Sequence, residues 1–411
     1  MATIKAFECI KPIKELASEV AALPYDVYNR EEALEAVKGK EYSFLRIDRA
    51  ETQFDASVST YDDRVYAKAK ELLDDMRDKG VYVKSDKKCY YLYELTMNGR
   101  TQTGIVACAS IDDYLNNVIK KHENTREEKE IDRIRHVDTC SAQTGPIFLA
   151  YRRNDIINDI ITNVKNNEPI FEFVSDDEIK HVGYVIDDES SIATIESEFA
   201  KINEIYIADG HHRAASAVKV GIKRRSENPD YDGSEEFNYF LSVLFQEQEL
   251  MIMPYNRVVK DLNGNTNEEF IEKVSECFDI ENVGANPYEP KTKAEVGMYL
   301  DGEWYCLKAK ENILSDDAVD GLDVSILQDN VLNPILGIAD PRTDNRIDFI
   351  GGIRGMKELE RRCALDMKVA FAMYPTSIQE LFDVADAGKL MPPKSTWFEP
   401  KLRSGLFIHE I

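Results

Sequence analysis

Asp209, Gly210, His211, His212 and Arg213 stand in an unbroken run, so a carboxylate, a flexible hinge, two imidazoles and a guanidinium meet within five residues. The run lies inside EIYIADGHHRAASAVK (204–219), where the apolar stretch 205–208 predicts a buried strand. The alanine-rich stretch after it predicts a helix ending near Gly221. A strand passing through a glycine turn into a helix start leaves unpaired backbone N–H groups aimed at one spot. The helix dipole adds about half a positive charge there. With Arg213 and the imidazoles beside it, this is a cradle for a phosphate or another anion. Asp209 is placed to hold a metal ion or orient a donor. The competing reading of His211 and His212 is as ordinary surface or core groups.

Other reactive residues cluster in four segments. LPYDVYN (23–29) holds Tyr25 and Asp26 in a loop bracketed by Pro24 and Asn29. KHENTREEKEIDR (121–133) puts His122 and Glu123 at the expected tip of an amphipathic helix on Tyr114, Leu115, Val118, Ile119 and His122. Thr125 and Arg126 follow. A Glu beside a His can serve as general base or metal ligand, and a solvated charged loop is the bland alternative. PRTDNRIDFIGG (341–352) reads equally well as surface ion pairs. MPPKSTWFEPKLRSGL (391–406) is locally basic and rich in hydroxyls, with Lys394, Ser395, Thr396, Lys401, Arg403 and Ser404. Lys and hydroxyl groups at a tight turn suit phosphate binding, while Trp397, Phe398, Leu402 and Leu406 would strap the segment over a core. No GxxxxGK[ST], GxGxxG after a strand, GxSxG or HExxH occurs, so the standard P-loop, Rossmann, hydrolase and zincin readings lack their motifs.

The elements that must position these groups alternate between helix and strand, which predicts an α+β fold with a mixed sheet core. Val65, Ala69, Leu72, Leu73 and Met76 recur at helical spacing before Gly80. Asn98-Gly99 joins two strand-like runs as a hairpin, and Asp301-Gly302 joins another pair. Ser110 caps the following helix, and a charged helix around Ile131, Ile134 and Val137 leads to the strand 146–151. NYFLSVLFQ and LMIMPYNRVV read as paired strands. The expected division is a core domain over 1–261, a small helix-plus-hairpin unit over 262–320, and C-terminal helices with a strapping tail over 321–411 that complete the core.

At 411 residues the chain can bury a sizeable core, and its 43% hydrophobic and 31% charged content is that of a soluble protein. No apolar run reaches membrane-spanning length, the first residues lack a signal-peptide layout, and the scattered cysteines include no CxxC pair. A cytoplasmic protein is expected. The net charge of −25 opposes nucleic acid and anionic membranes as partners, yet a local basic pocket can still take a small anion.

Taken together, AFECIKP, LPYDVYNREEA, HENT…DR, GPIFLAY, YIADGHHRAASA, MPYNRVV and MPPKSTWFEPKLRSGL resemble the prokaryotic family catalogued as domain of unknown function 1015. Asn256 departs from the histidine expected at its place in PYNRVV. The DGHHR element also resembles the signature of the ParB/sulfiredoxin-like superfamily, which includes free-serine kinases, ATP-dependent sulfiredoxins and CTP-binding partition proteins. By that resemblance Gly210, His211, His212 and Arg213 form a turn that binds nucleotide phosphates. A histidine stands where the sulfiredoxin cysteine would be, which removes the redox reading. The implied activity is nucleotide-dependent phosphoryl transfer, from ATP, ADP or another nucleotide with Mg²⁺, to a small hydroxyl-bearing metabolite.

In that scheme Asp209, His211, His212 and Glu123 are catalytic, and Gly210, Arg213, Lys394 and Lys401 hold the nucleotide. Tyr25, Asp26, Ser395 and Thr396 bind substrate, and Asp209 and Glu123 are the Mg²⁺ ligands. A homo-oligomer is compatible with the sequence. The alternatives are a nucleotide-responsive binding protein without turnover and a metal-dependent hydrolase.

Overall fold

Asn98 and Gly99 both adopt positive φ, 51° and 78°, the type I′ geometry that matches the twist of the strands they join. The computed structural model describes residues 1–125 and 127–411, so Arg126 lies outside the described residues. The chain forms two compact units, one of residues 1–250 with 400–411 and one of residues 251–399.

In the first unit, nine strands among the described residues make one mixed sheet. They are β1 (Ile4–Lys5), β2 (Tyr90–Met97), β3 (Arg100–Ser110), β4 (Ile119–Lys120), β5 (Ile147–Tyr151), β6 (Phe171–Val174), β7 (Lys180–Ile186), β8 (Ile205–Asp209) and β9 (Tyr239–Gln246). The order across the sheet is β4-β8-β5-β9-β3-β2-β7-β6, with β1 paired to β3. β8 runs parallel to β4, β9 runs parallel to β5, and the other pairs are antiparallel. Leu92, Ile105, Leu149, Ile207, Phe240 and Leu244 pack with Ile157, Ile195, Phe199 and Val218 in one buried cluster. Those last four come from the helices Asp155–Val164 and Glu189–Phe199 and from α2 (His211–Glu227). A second cluster gathers Ile10, Val20, Phe44, Ile47, Val65, Leu73 and Ile408. The expected helix on Val65, Ala69 and Leu73 is Asp63–Asp78, and Gly80 follows it at φ 72°.

The tail is laced into the first unit by backbone hydrogen bonds. Ser404 and Ala22 each donate to the other, Gly405 N donates to Thr144 O, and Ile10 and Ile408 exchange a pair. Arg403 is buried and donates to both carboxylate oxygens of Asp177 at 2.6 and 2.5 Å.

The second unit has its own antiparallel sheet: β10 (Tyr255–Val259), β11 (Phe278–Gly284), β12 (Glu295–Leu300), β13 (Glu303–Ala309), β14 (Ile347–Gly351) and β15 (Val369–Met373). The order is β11-β13-β12-β15-β10-β14. Its two ends are joined by a short ladder in which Ile252 and Met253 pair with Phe398 and Trp397.

Two expectations are corrected here. The segments 239–246 and 251–259 do not pair, because β9 lies between β5 and β3 while β10 lies between β15 and β14. For the same reason the boundaries at 261 and 320 do not separate compact bodies. β10, the hairpin β12–β13 and the C-terminal strands share one sheet, so residues 321–399 complete the second unit rather than the core, and only the tail returns.

The β2–β3 turn gives a direct check on this architecture. Gly99→Val forces a β-branched residue to positive φ and should lower stability by about 1–2 kcal/mol, read as a shift of the urea midpoint with unchanged slope.

Candidate functional site

β8 ends at Asp209, and Gly210 then turns the chain with φ 97° and ψ 31° into the first residue of α2. That left-handed step is open to glycine and strained for other residues. Space forbids them too: a Cβ at Gly210 would sit 3.1 Å from Nε and Nη2 of Arg213. The Arg213 guanidinium folds back over Gly210, and its Nη1 donates to the carbonyl of Pro146 at 2.5 Å. Gly210, the N-cap residue, brings no side chain to cap α2, so the first-turn N–H groups face the turn without a cap from that position.

Two cations reach the same carboxylate oxygen. Lys401 Nζ lies 3.4 Å and Arg213 Nη2 lies 3.5 Å from Asp209 Oδ2. Both distances exceed the 2.7–2.9 Å of a tight charge-assisted bond. Burial raises the Asp209 carboxyl's pKa, but Lys401 and Arg213 overcome this and hold it well below the ordinary carboxylate range. Asp209 is therefore an anion at any physiological pH, and the trio carries one net positive charge.

His122 arrives by a different route from the one expected. The helix after Ser110 stops at Leu115, and Ile119–Lys120 is instead a strand paired parallel to β8. Parallel strands end on the same side, so His122 beyond β4 meets His211 beyond β8. Their rings stand edge to face with centroids 4.5 Å apart. Both are buried, and Nδ1 and Nε2 of His122 and Nε2 of His211 have no hydrogen-bond partner among the described residues. Burial lowers the pKa of His122 to about 4, against the opposing pull of Asp209 and the Ile207 carbonyl. Burial likewise keeps His211 well below its ordinary value. Both rings are neutral at pH 7.

His212, one residue on, is turned about 100° around the helix. It shares a face with Ser216 and Lys219, which meet Glu130 of α1 (Glu127–Cys140), and it adds to the positive charge acting on Glu130. His211 and His212 thus diverge, and among the described residues no group of three or more His, Cys, Asp or Glu side chains is placed to hold a metal ion. Glu123 follows His122 as a half-buried loop residue.

Tyr25 joins the central motif and Asp26 does not follow it inward. The Tyr25 ring is buried under the Arg133 guanidinium, 4.0 Å from its centroid. It lines, with Arg213, Gly145 and Ser404, a cavity of about 30 Å³. Tyr25, Asp48, Arg133 and His136 also line an adjoining cleft of about 300 Å³, with exposed Asp26 at its wall. Lys394, Ser395 and Thr396 belong to the second unit. There Ser395 is buried with its hydroxyl donating to Pro392 O at 2.6 Å, and Lys394 Nζ lies over the Tyr255 ring. Asn256, the departure noted above, is buried in β10 and its Oδ1 accepts from Met373 N.

Sequence reasoning missed the polar wall of the cleft, which α1 supplies. Asp132, Arg133 and His136 are buried and Ile131 is exposed, while Ile134 and Val137 are half-buried. Arg133 donates to Asp132 Oδ2 at 2.9 Å, and Tyr66 Oη donates to Oδ1 at 2.9 Å. His136 Nε2 lies 3.2 Å from Ile47 O. The spacing of Asp132 and His136, one turn apart on a helix, was the available signal.

Residues 4–325 match the family described as Protein of unknown function (DUF1015). The chain belongs to that family. The match takes in Tyr25, Glu123 and the DGHHR turn and stops short of Lys394 and Lys401. No curated protein matches the chain. Among solved structures it is similar to a free serine kinase in complex with AMP, with 15% identity, a TM-score of 0.33, and coverage of 72% of this chain and 86% of that one. It is also similar to SbnI with C-terminal truncation from Staphylococcus aureus, with 10% identity, a TM-score of 0.39 and coverage of 72% and 82%. A conserved hypothetical protein from Pyrococcus furiosus has 12% identity, a TM-score of 0.33 and coverage of 73% and 93%.

The buried imidazoles set a pH dependence. A base whose pKa falls on folding contributes stability that is complete above its unfolded value near 6.5 and is lost as pH drops toward its folded value. For His122, folded near 4, the loss between pH 7 and pH 4 is about 3 kcal/mol. Denaturant titrations of His122→Leu at the two pH values should show a drop smaller than that of the wild type by this amount.

Proposed function

We propose that the protein is a nucleotide-dependent phosphotransferase acting on a small hydroxyl-bearing metabolite, with the nucleotide's phosphates held at the N-terminus of α2. The observation that carries this reading is the uncapped helix start at Gly210 with Arg213 and Lys401 drawn to one oxygen of Asp209. An anion entering there meets the backbone N–H groups of a helix start, the cations Arg213 and Lys401, and the dipole of a 17-residue helix. Phosphoryl transfer needs little more than positioning and charge neutralisation.

The acceptor occupies the 300 Å³ cleft, a volume suited to a small metabolite, between Tyr25 and Asp26. Its hydroxyl oxygen attacks the terminal phosphorus, the bond to the leaving nucleotide breaks, and the hydroxyl proton passes to a base. Asp209 is too weakly basic for that proton, since Lys401 and Arg213 stabilise its anion. A permanent anion is instead suited to Mg²⁺, which reaches the site on the nucleotide and needs one or two protein carboxylates. We assign Asp209 and Glu123 to that role. The proton goes to Nε2 of His211, which is neutral and unpartnered among the described residues. Burial makes it a weak base at rest, and the negative charge of the entering phosphates raises its basicity. His212, turned toward Glu130, supports the helix start rather than the transfer.

Isothermal titration with ATP, ADP and CTP in the presence of Mg²⁺ tests the reading. One of them should bind, and Arg213→Ala and Lys401→Ala should each weaken binding by at least about 30-fold, the loss of a charge-assisted contact to phosphate. Absence of binding by the wild type, or full binding by Arg213→Ala, would exclude the site.

A further inference from the structure

Arg257 stands in the middle of β10, a central strand of the second sheet, with 3% of its surface exposed. Its Nη2 donates to the Lys394 carbonyl at 3.0 Å and its Nη1 to the Tyr255 carbonyl. The Phe349 ring lies 5.5 Å from the guanidinium carbon. Among the described residues no carboxylate pairs with it, and burial draws its pKa down to about 10 with only Tyr255 opposing. A buried cation without a counter-ion is strongly unfavourable, and an apolar side chain of similar size would serve the sheet better.

The same guanidinium borders a cavity of about 290 Å³. Its walls include Phe349, Leu332, Val324, Pro392 and Pro393. Gln328–Leu332, which supplies one side, is a π-helical turn, a geometry frequent at functional sites. The other arginine at the cavity, Arg342, is already held by Asp340 at 2.8–3.2 Å. Asp340 and Gln328 also line the cavity, but that carboxylate is taken up by Arg342, so Arg257 is the buried positive charge at this space that has no ion-pair partner among the described residues.

We propose that this cavity binds a small organic anion. Its carboxylate or phosphate group seats on Arg257, and its apolar body packs against Phe349, Leu332 and Pro392. The two backbone carbonyls fix the plane of the guanidinium and leave Nε for the ligand, so one edge of the fork is presented in a set orientation. The site is separate in chemistry from the helix start at Gly210: it offers one fixed cation and an apolar wall, and no helix N-terminus.

The test uses the full chain carrying Arg213→Ala, so that the first anion site is silenced. Benzoate, phenyl phosphate and the neutral benzyl alcohol are titrated while the Arg257 Nε–Hε resonance is followed, assigned by its loss in Arg257→Lys. Benzoate or phenyl phosphate should shift that resonance at concentrations up to about 10 mM, and which of them binds tighter separates a carboxylate from a phosphate ligand. Calorimetry should show Arg257→Met weakening the same binding by about 30-fold. If neither anion moves the resonance, or if benzyl alcohol moves it as strongly, the proposal fails. The resonance is read with Arg257 in place, so a poorly folded Met variant does not decide the outcome.

Discussion

The reversal of backbone direction at Gly210 is the constraint around which the first unit is arranged. A strand can feed a helix this abruptly only through a residue tolerant of positive φ, and the absent side chain is what lets Arg213 lie back across the turn. Once the guanidinium is there, Pro146 must offer its carbonyl, which fixes the start of β5 against the end of β8. Asp209 must face the same guanidinium, and Lys401 comes to the same oxygen from the tail. His122, Tyr25 and Ser404 then take positions around a centre whose geometry is already decided.

Much of this was legible in the residues because it is local. Asn98-Gly99 and Asp301-Gly302 made the hairpins they announce, and both turns have positive φ throughout. Ser110 caps the helix that follows it. The strand, turn and helix at 205–221 could be drawn from apolar patterning and one glycine. What stayed hidden is non-local. The two-residue β4 is a strand only because β8 offers it a parallel partner, so local periodicity favoured a longer helix. The helix α1 was legible around its apolar Ile131, Ile134 and Val137, whereas the burial of Asp132 and Arg133 was not, because tertiary structure supplies their partners. The division into units followed sheet pairing between β10, β14 and β15, which no window of sequence contains.

A chain with a net charge of −25 keeps its most consequential positive charges inside. Arg133, Arg257 and Arg403 are all buried, each in a different setting. Arg403 is matched by Asp177 and Arg133 by Asp132, and Tyr25 stacks on the latter. These pairs specify where segments dock more than they add stability, since a buried ion pair roughly offsets its own desolvation. The acidic exterior sets how the protein meets other macromolecules, and the buried arginines fix where neighbouring segments dock.

The tail that carries Lys401 is separated from the rest of the first unit by residues 251–399. With the second unit unfolded, docking the tail means closing a loop of that length. Once the ladder between Ile252–Met253 and Trp397–Phe398 forms, the effective loop shrinks to a few residues, and the entropic cost of closure falls by roughly 3 kcal/mol. Folding of the second unit therefore keeps its own two chain ends together, and whatever unfolds it lowers the effective concentration of Lys401 at Asp209. Ribosomal synthesis imposes the same order, because the first 250 residues emerge before the lysine that pairs with Asp209 has been made.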